Sequence, residues 1–380
     1  MEKMSRILLV SPIDPQNHST GESDRIGHII GELKIDGFHC DLIHGDGSDS
    51  DRPLGFSNSI TRYLFDLNPF LYLQLLIQLR NHNYSAIQVE EPHGVVAAKI
   101  ATLITRNRSS TVVLDSHNFE SGLVKRQRSN DIHWVKRTFA PYIITLFEQL
   151  SVSVANHVLT VSESDKAKFR DAYGLSEDDI TVIPSGSERI EQGNIDDTID
   201  ARKEYDLSLN DIIVVFHGTY SYKPNEEAVS VIKEVIAPRF SDEDIQFVIA
   251  GNGAPESATE NVRSIGFVDD LYSFLNACDI AVVPLKTGGG TKLKMFDYMA
   301  CSLPVVTTTI GAEGIQLTHN ESAMITDDIS QDMVEFVDEL ADNEEKRDRL
   351  AREANELFED EYTWDSIGER LRDFYSQMRE

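Results

Sequence analysis

The feature that most constrains this 380-residue chain is an alternation that runs through its whole length. Short runs rich in apolar and branched residues, RILLVS (6–11), SAIQVE (85–90), STVVLDS (110–116), HVLTVS (157–162), IIVVFHG (212–218), IQFVIAG (245–251) and IAVVPL (280–285), are separated by longer stretches with helical spacing. Strands that alternate with helices predict parallel sheets wrapped by helices, an α/β fold. A chain of 380 residues exceeds what one core normally supports, so two domains of roughly 150–200 residues are expected, and 41% apolar residues suffice to fill them. Between residues 186 and 212 the text turns polar and acidic, and a new strand series opens at Ile212. That places the boundary near 187–200 and divides the chain into domains 1–190 and 191–360. In the remaining 361–380, Trp364, Ile367, Leu371 and Phe374 recur at helical intervals, which predicts an amphipathic last helix that packs back onto the first domain.

Charge narrows the partners. Against 35 basic residues stand 64 acidic ones, a net charge of −29, so nucleic acid is excluded as a natural ligand. The acids are spread along the chain, and Lys (14) is scarcer than Arg (21), a pattern suited to a strongly hydrated surface at high salt. A halophilic cytoplasm is the first explanation, and an ordinary acidic enzyme the second. Cys40, Cys278 and Cys301 are odd in number and lack metal-ligand spacing, which argues against a disulfide framework or a zinc site. The opening MEKMSRILLVSPIDP reads as a strand that turns at proline rather than as a secretory leader, and no apolar run reaches the ~18 residues of a membrane span. A cytoplasmic protein is expected.

In open α/β sheets ligands bind at the carboxyl ends of strands, where loops meet helix N-termini whose free amides attract phosphate. The richest such junction is TGGGTKLKMFDYMA (287–300). Its glycines Gly288, Gly289 and Gly290 let backbone amides approach an anion, Thr291 follows, and Lys292 and Lys294 add charge against a diphosphate. Asp297 falls three residues after Lys294, on a nearby helix face, where a carboxylate can accept two bonds from ribose hydroxyls. The second junction is IIVVFHGTYSYKPN, in which a strand ends at Gly218-Thr219 and Lys223 precedes a helix started by Pro224 or Asn225. A flexible loop with a solvated ion pair is the plain alternative at the first junction, and an unoccupied turn at the second.

The series FHGTYSYKPNEEAV, VIAGNG, IGFVDDL, CDIAVVPL, GGGTKLKMFDYMACSLPVV and TTIGAEGI resembles the nucleotide-binding half of the family-four retaining glycosyltransferases. Upstream, DSHNFES (115–121) and ANHVLTVSESDKAKF with ITVIPSGSE (155–188) are similar to that family's acceptor-domain signatures. The resemblance implies a GT-B fold, two Rossmann-like domains facing each other across a cleft, and retaining transfer from a nucleotide-sugar donor with no cofactor and no obligatory metal. It assigns Lys223, Lys292 and Lys294 to the leaving diphosphate, Gly266, Phe267 and Val268 to the base, and Gly21 to the donor phosphates. Asp297 matches the second acid of the family's paired-glutamate motif. The first acid belongs eight positions earlier, where this chain has Gly289, and Asp297 is one methylene shorter than the usual Glu. An epimerase or a glucan synthase of the same fold is the nearest rival, and a catalytically silent partner subunit is the rival from another class.

Five further readings concern the amino-terminal half. Gly21 lies in a strand-to-helix turn before a helix expected near Ser23. His117 directly follows a strand, where an imidazole can bind a sugar hydroxyl or handle a proton, and the family's matching His lies near the donor sugar. Glu90-Glu91-Pro92-His93 ends another strand and is a candidate acceptor contact, with surface charge as its plain reading. Residues 60–80 concentrate aromatic and aliphatic side chains that suit either a buried helix or peripheral membrane contact near a glycan or lipid-linked acceptor. Asp49-Ser50-Asp51, the one metal-like acidic pattern, reads as solvated surface.

Overall fold

The computed structural model describes residues 6–15, 21–35, 37–44, 66, 68–105, 107, 109–122, 134–190, 195–241, 244–254 and 261–378, with only the backbone of 134–141 and 195–197. It divides into two units, Met1–Ser185 with Trp364–Glu380, and Gly186–Thr363. The division at Ser185 falls just ahead of the polar stretch that marks it in the sequence.

In chain order the first unit contains β1 (Arg6–Ser11), α1 (Gly21–Ile35), β2 (His39–His44), α2 (Pro69–Asn81), β3 (Ala86–Glu90), α3 (Val95–Thr105), β4 (Thr111–Ser116), α4 (Trp134–Val154), β5 (His157–Thr160), α5 (Glu163–Tyr173) and β6 (Ile180–Val182). Its sheet has the order β2-β1-β3-β4-β5-β6, with every pairing parallel. Such a sheet must be covered on both faces, and the two faces have separate cores. Leu8, Val10, Ile87, Val89 and Leu114 pack under α2, α3, α4 and α5. Ile7, Leu9, Ala86 and Val113 pack on the other side against α1 and the last helix of the chain.

The second unit contains α6 (Ile195–Glu204), β7 (Ile212–His217), α7 (Lys223–Val231), β8 (Ile245–Ala250), β9 (Val262–Gly266), α8 (Leu271–Asn276), β10 (Ile280–Val283), α9 (Leu293–Ala300), β11 (Val305–Thr307), β12 (Met324–Ile325), α10 (Asp332–Asp342) and α11 (Glu344–Glu361). Its parallel order is β12-β11-β10-β7-β8-β9. The last helix, α12 (Trp364–Gln377), buries Trp364, Ile367, Leu371 and Tyr375 in the first unit, and the Trp364 ring stacks on His28 with centroids 4.5 Å apart.

Local chemistry sets the element ends. The Ser162 side chain accepts from the Asp165 amide at the start of α5, and Gly174 closes that helix in the left-handed region at φ 71. At α2 the Asn68 side chain accepts from the Phe70 amide and Pro69 occupies the first turn, where its missing N–H costs nothing. Two details differ from the sequence reading. The first helix begins at Gly21 itself rather than near Ser23, and the run IAVVPL is a strand only to Val283, because Pro284 has no amide to continue the ladder.

Candidate functional site

In the second unit the order places β8 on one side of β7 and β10 on the other, so the chain reverses direction across the sheet between β7 and β10. A crevice forms at the carboxyl ends of strands where the order reverses in this way. Both glycine-bearing junctions of the sequence open there, one after β7 and one after β10.

Lys294, on the first turn of α9, reaches across to the β7 side. Its Nζ donates to Asn225 Oδ1 at 2.8 Å and lies 4.0 Å from the centroid of the Phe216 ring. Asn225 is held in turn by donating to the Thr219 carbonyl at 2.8 Å. Gly218 has to be glycine: a Cβ there would come within 2.8 Å of both Lys294 Nζ and Asn225 Nδ2. Burial pulls the Lys294 amine down to about 7, Lys292 adds to the fall, and Asp297 opposes it. Among the described residues no carboxylate oxygen pairs with Lys294 within 4.0 Å.

Asp297 sits one turn further along α9. Its Oδ1 accepts from Ser187 Oγ at 3.4 Å and its Oδ2 lies 3.5 Å from His217 Nε2. Burial pushes its carboxyl up to about 6, against the hydrogen bond from Ser187, the Lys294 charge and the hydrogen bond from Tyr272. Burial, with the nearby Lys294 charge, drops His217 to about 3, so its imidazole is neutral at physiological pH. Ser187 also shares a 3.1 Å hydrogen bond with Tyr272.

The glycine loop itself has positive φ at Gly288 (φ 131) and Gly290 (φ 65), backbone that glycine adopts readily and other residues rarely do. The Tyr222 hydroxyl meets the Gly289 backbone. Lys292 is almost fully buried; its Nζ donates to the Gly290 carbonyl at 2.5 Å and lies 3.6 Å from Glu313 Oε2. Glu313 comes from the loop after β11, and Gly314 beside it (φ 86) packs so closely that a Cβ would lie 2.5 Å from Thr291 Oγ1.

The structure thus brings Gly218, Thr219, Lys294 and Asp297 into one cluster and sets Gly289, Gly290, Thr291 and Lys292 in the adjoining loop. Lys223 is largely exposed at the start of α7, 4.0 Å from Glu227, which accepts from Thr287 Oγ1 at 2.9 Å at the head of the glycine loop. Phe267 follows the edge strand β9 and is 71% exposed, while Val268 beside it is buried. Asn225, His217, Ser187, Tyr272 and Glu313 belong to the site but were not among the candidates. Pairings such as Ser187 with Asp297, 110 positions apart, leave no mark in local spacing.

In the first unit the corresponding reversal lies between β1 and β3, and the carboxyl ends of β3 and β4 carry a buried charge network. Arg25 of α1 donates to both Asp115 oxygens at 3.1 Å and to the carbonyls of Ile183 and Pro184. Gln88 donates to Glu90 at 2.8 Å and to Asp115 at 3.1 Å. His117 Nε2 lies 3.0 Å from Glu90, and its Nδ1 lies 3.4 Å from Glu91. Burial works against the charged imidazole, but the hydrogen bond to Glu90 and the charges of Glu91 and Asp115 outweigh it and raise His117 to about 9.

Burial and the Asp115 charge also raise Glu90, so the His117–Glu90 pair together holds a proton and is suited to donating a hydrogen bond rather than to taking up a proton. Glu90, Glu91 and His93 are buried, which corrects the surface-charge alternative. Glu22, Glu91 and His117, or Glu90, Asp115 and His117, are close enough to hold a metal ion. A metal at either set would have to displace the proton held by His117 and Glu90, and at the second set also compete with the Arg25 guanidinium for Asp115. Gly21 opens α1, and the turn ahead of it, like Asp49-Ser50-Asp51 and residues 60–65, lies outside the described residues.

The comparisons with known proteins divide along the same line. Residues 25–188 match the model described as Glycosyltransferase Family 4, and residues 211–343 the model described as Glycosyl transferases group 1. A GDP-mannose-dependent monoacylated alpha-(1-6)-phosphatidylinositol monomannoside mannosyltransferase of Corynebacterium glutamicum is 28% identical over 236 residues, 56% of this chain and 60% of that protein. The capsular polysaccharide biosynthesis glycosyltransferase CapM of Staphylococcus aureus is 21% identical over 63% of this chain and 66% of its own length. The match therefore spans a little under two thirds of these curated relatives. Among solved structures, sucrose-phosphate synthase from Thermosynechococcus elongatus superposes with a TM-score of 0.73 at 15% identity, over 99% of both chains. Anabaena HepE, solved in complex with UDP, gives 0.69 at 13% identity over 98% of this chain and 100% of that one. At these identities the likeness is one of fold, and the fold is GT-B, with two Rossmann-like domains.

Proposed function

Because the chain belongs to the family-four glycosyltransferases and carries their group 1 domain as its second half, we propose that it transfers a sugar from a nucleotide-sugar donor to an acceptor, with retention of configuration. The acceptor is a glycan or a lipid-linked sugar, and the setting is the assembly of a polysaccharide or glycan. One observation carries the reading. Lys294 is a buried amine whose near partners are a neutral amide oxygen and an aromatic face, at the end of a glycine loop in the sheet's crevice, so its charged form lacks an anion. An unpaired buried cation is costly, and a donor diphosphate supplies the missing anion.

In this account the leaving diphosphate is met by the amides of 288–292 and by Lys294, with Lys292 held beside it by Glu313. Charge grows on the leaving group in the transition state, so donors fixed in advance lower the barrier without having to reorganise. Asp297, backed by Ser187 and the neutral His217, takes the ribose hydroxyls. Gly289 leaves the first acid of the family's pair unfilled, while Glu227 accepts from Thr287 at one end of the loop and Glu313 stands 3.6 Å from Lys292 at the other. Lys223, Phe267, Val268 and Gly21 stand as donor contacts on the resemblance alone. His117, with the proton it holds together with Glu90, donates to a hydroxyl of the transferred sugar. Metal-independent action in a halophilic cytoplasm completes the proposal.

The test is a panel of nucleotide sugars, read by release of nucleoside diphosphate and by the anomeric proton signals of the product. Release that needs an acceptor, with the donor's anomeric configuration kept, supports the reading. An epimerised sugar formed from donor alone makes the chain an epimerase, and failure to bind any nucleoside diphosphate makes it a silent subunit.

A further inference from the structure

Strand β3 reads AIQVE, and every residue of it is buried. Gln88, at its middle, is fully buried in the sheet, and a buried side-chain amide has to place two N–H donors and a carbonyl oxygen. Gln88 and Glu90 are two residues apart and so project from the same face, and Glu90 is in register with Asp115 of β4. Gln88 Nε2 donates to Glu90 Oε1 at 2.8 Å and to Asp115 Oδ2 at 3.1 Å. Only the NH2 end of an amide can face two carboxylate oxygens, which fixes the orientation of the group and leaves Oε1 on its other side.

That oxygen is met from the last helix. The Tyr375 hydroxyl of α12 donates to Gln88 Oε1, a contact between residues 287 positions apart. Burial, with the charges of Asp115 and Glu90 behind it, holds the Tyr375 phenol well above its ordinary value, so the hydroxyl keeps its proton and serves as the donor. The ring is fixed edge-on to Phe38, with centroids 6.2 Å apart, and to Phe374 at 5.0 Å. Glu90 carries the contacts onward: its Oε1 is taken by Gln88, and its Oε2 lies 3.0 Å from His117 Nε2. Four side chains thus run in series from the last helix to the imidazole. A carboxylate gripped at both oxygens is held about its terminal torsion, which is otherwise broad. From this series we propose that Tyr375 and Gln88 are positioning residues, which hold Glu90, and through it the His117 ring, in the orientation from which His117 donates to the transferred sugar.

The proposal rests on the role given to His117 above, but the relay exists in the free protein and is measured there. Its plain rival is that Tyr375 only anchors the last helix. That helix is already held by the Trp364 ring on His28, by Ile367 and Leu371 in the core, and by Arg372 paired with Glu32 at 3.3 Å. Replacing a buried hydrogen-bonded pair by apolar groups of the same shape costs a fold little. What the amide and the phenol add here is control of Glu90.

The test compares the full chain with Tyr375→Phe, Gln88→Leu and the double variant, using isotopically labelled histidine and a His117→Gln variant to assign the ring nitrogen signals. At neutral pH and without substrate, each single variant should move the His117 signals. Those of His28, stacked under Trp364 of the same helix, should stay in place, which separates a lost relay from a loosened helix. In acceptor-dependent transfer each should lower kcat by about tenfold, part of the loss that a ~1 Å misplacement can cause, with little change in donor KM. Because Tyr375 acts only through Gln88, the double variant should match Gln88→Leu. Should Gln88→Leu fail to fold, Tyr375→Phe, which keeps the ring, decides alone. His117 signals that do not move in Tyr375→Phe overturn the proposal. So do His28 and His117 signals that move together, the mark of a helix anchor, and losses that multiply in the double variant. A wild type that transfers no sugar sinks the reading of the donor site, while the ring signals still judge the relay.

Discussion

Lys294 couples donor binding to a proton, and the size of that coupling follows from its surroundings. The ordinary amine value of 10.5 is lowered by burial to about 7 in the free site. At pH 8 about one molecule in eleven carries the charge before ligand arrives. A bound diphosphate stabilises the ammonium, so its pKa rises on binding and close to one proton is taken up at pH 8. The sign follows from the lowered value. As pH climbs above 7 the free site loses a proton that the complex must regain, so affinity falls by about tenfold per unit, or about 1.4 kcal/mol. The ligand contributes little to this slope, because a terminal phosphate loses its second proton near pH 6, about two units below. Isothermal titration of nucleoside diphosphate in two buffers of different ionisation enthalpy reads the uptake directly. Wild type should show buffer-dependent heats at pH 8 and weaker binding at pH 8.5 than at pH 7.5. Lys294→Met should bind more weakly and independently of pH. Identical heats in both buffers, together with a flat affinity profile, would refute the reasoning.

Four further outcomes are expected. Gly218→Ala places a methyl group within 2.8 Å of Lys294 Nζ and Asn225 Nδ2 at a positive φ, and should weaken donor binding by about tenfold or more in calorimetry and lower the melting temperature. Lys294→Ala should lower turnover by about 10²-fold, the scale of one lost oxyanion donor, in a nucleoside-diphosphate release assay. Asp115→Ala strands the Arg25 guanidinium in the core of the first unit and should cost about 3–5 kcal/mol in urea unfolding. If the net charge of −29 is an adaptation to high salt, the melting temperature should climb steeply between about 0.1 M and about 2 M KCl.

The parts of the fold that could be read in the sequence are those with local causes. Strands such as Leu8–Val10 and Val214–Phe216 are fully buried on both sides, so nearly every residue is apolar and the run is visible. The edge and near-edge strands could not be read. In β2, HCDLIH is half solvated, β9 is mostly half-buried, and β6, β11 and β12 have only two or three residues. At the site, Gly218, Lys294 and Asp297 were legible because each follows a strand and the sheet's topology does the rest. Asn225 under Lys294, Glu313 beside Lys292, and Arg25 on Asp115 were not, because each contact joins elements that only the folded chain brings together. The two faces of α2 were obscured for a different reason: Leu71, Leu75 and Leu79 are buried and Phe70, Leu73 and Ile77 exposed, so the helix shows no clean period to separate its buried side from its exposed one.

The most direct test of the account is a crystal structure of this chain with a bound nucleoside diphosphate. It should show both phosphates within hydrogen-bonding distance of the 288–292 amides and of Lys294 Nζ, with the Asp297 carboxylate on the ribose hydroxyls. A diphosphate bound elsewhere on the chain, with Lys294 still turned to Asn225 beneath an empty loop, would contradict it.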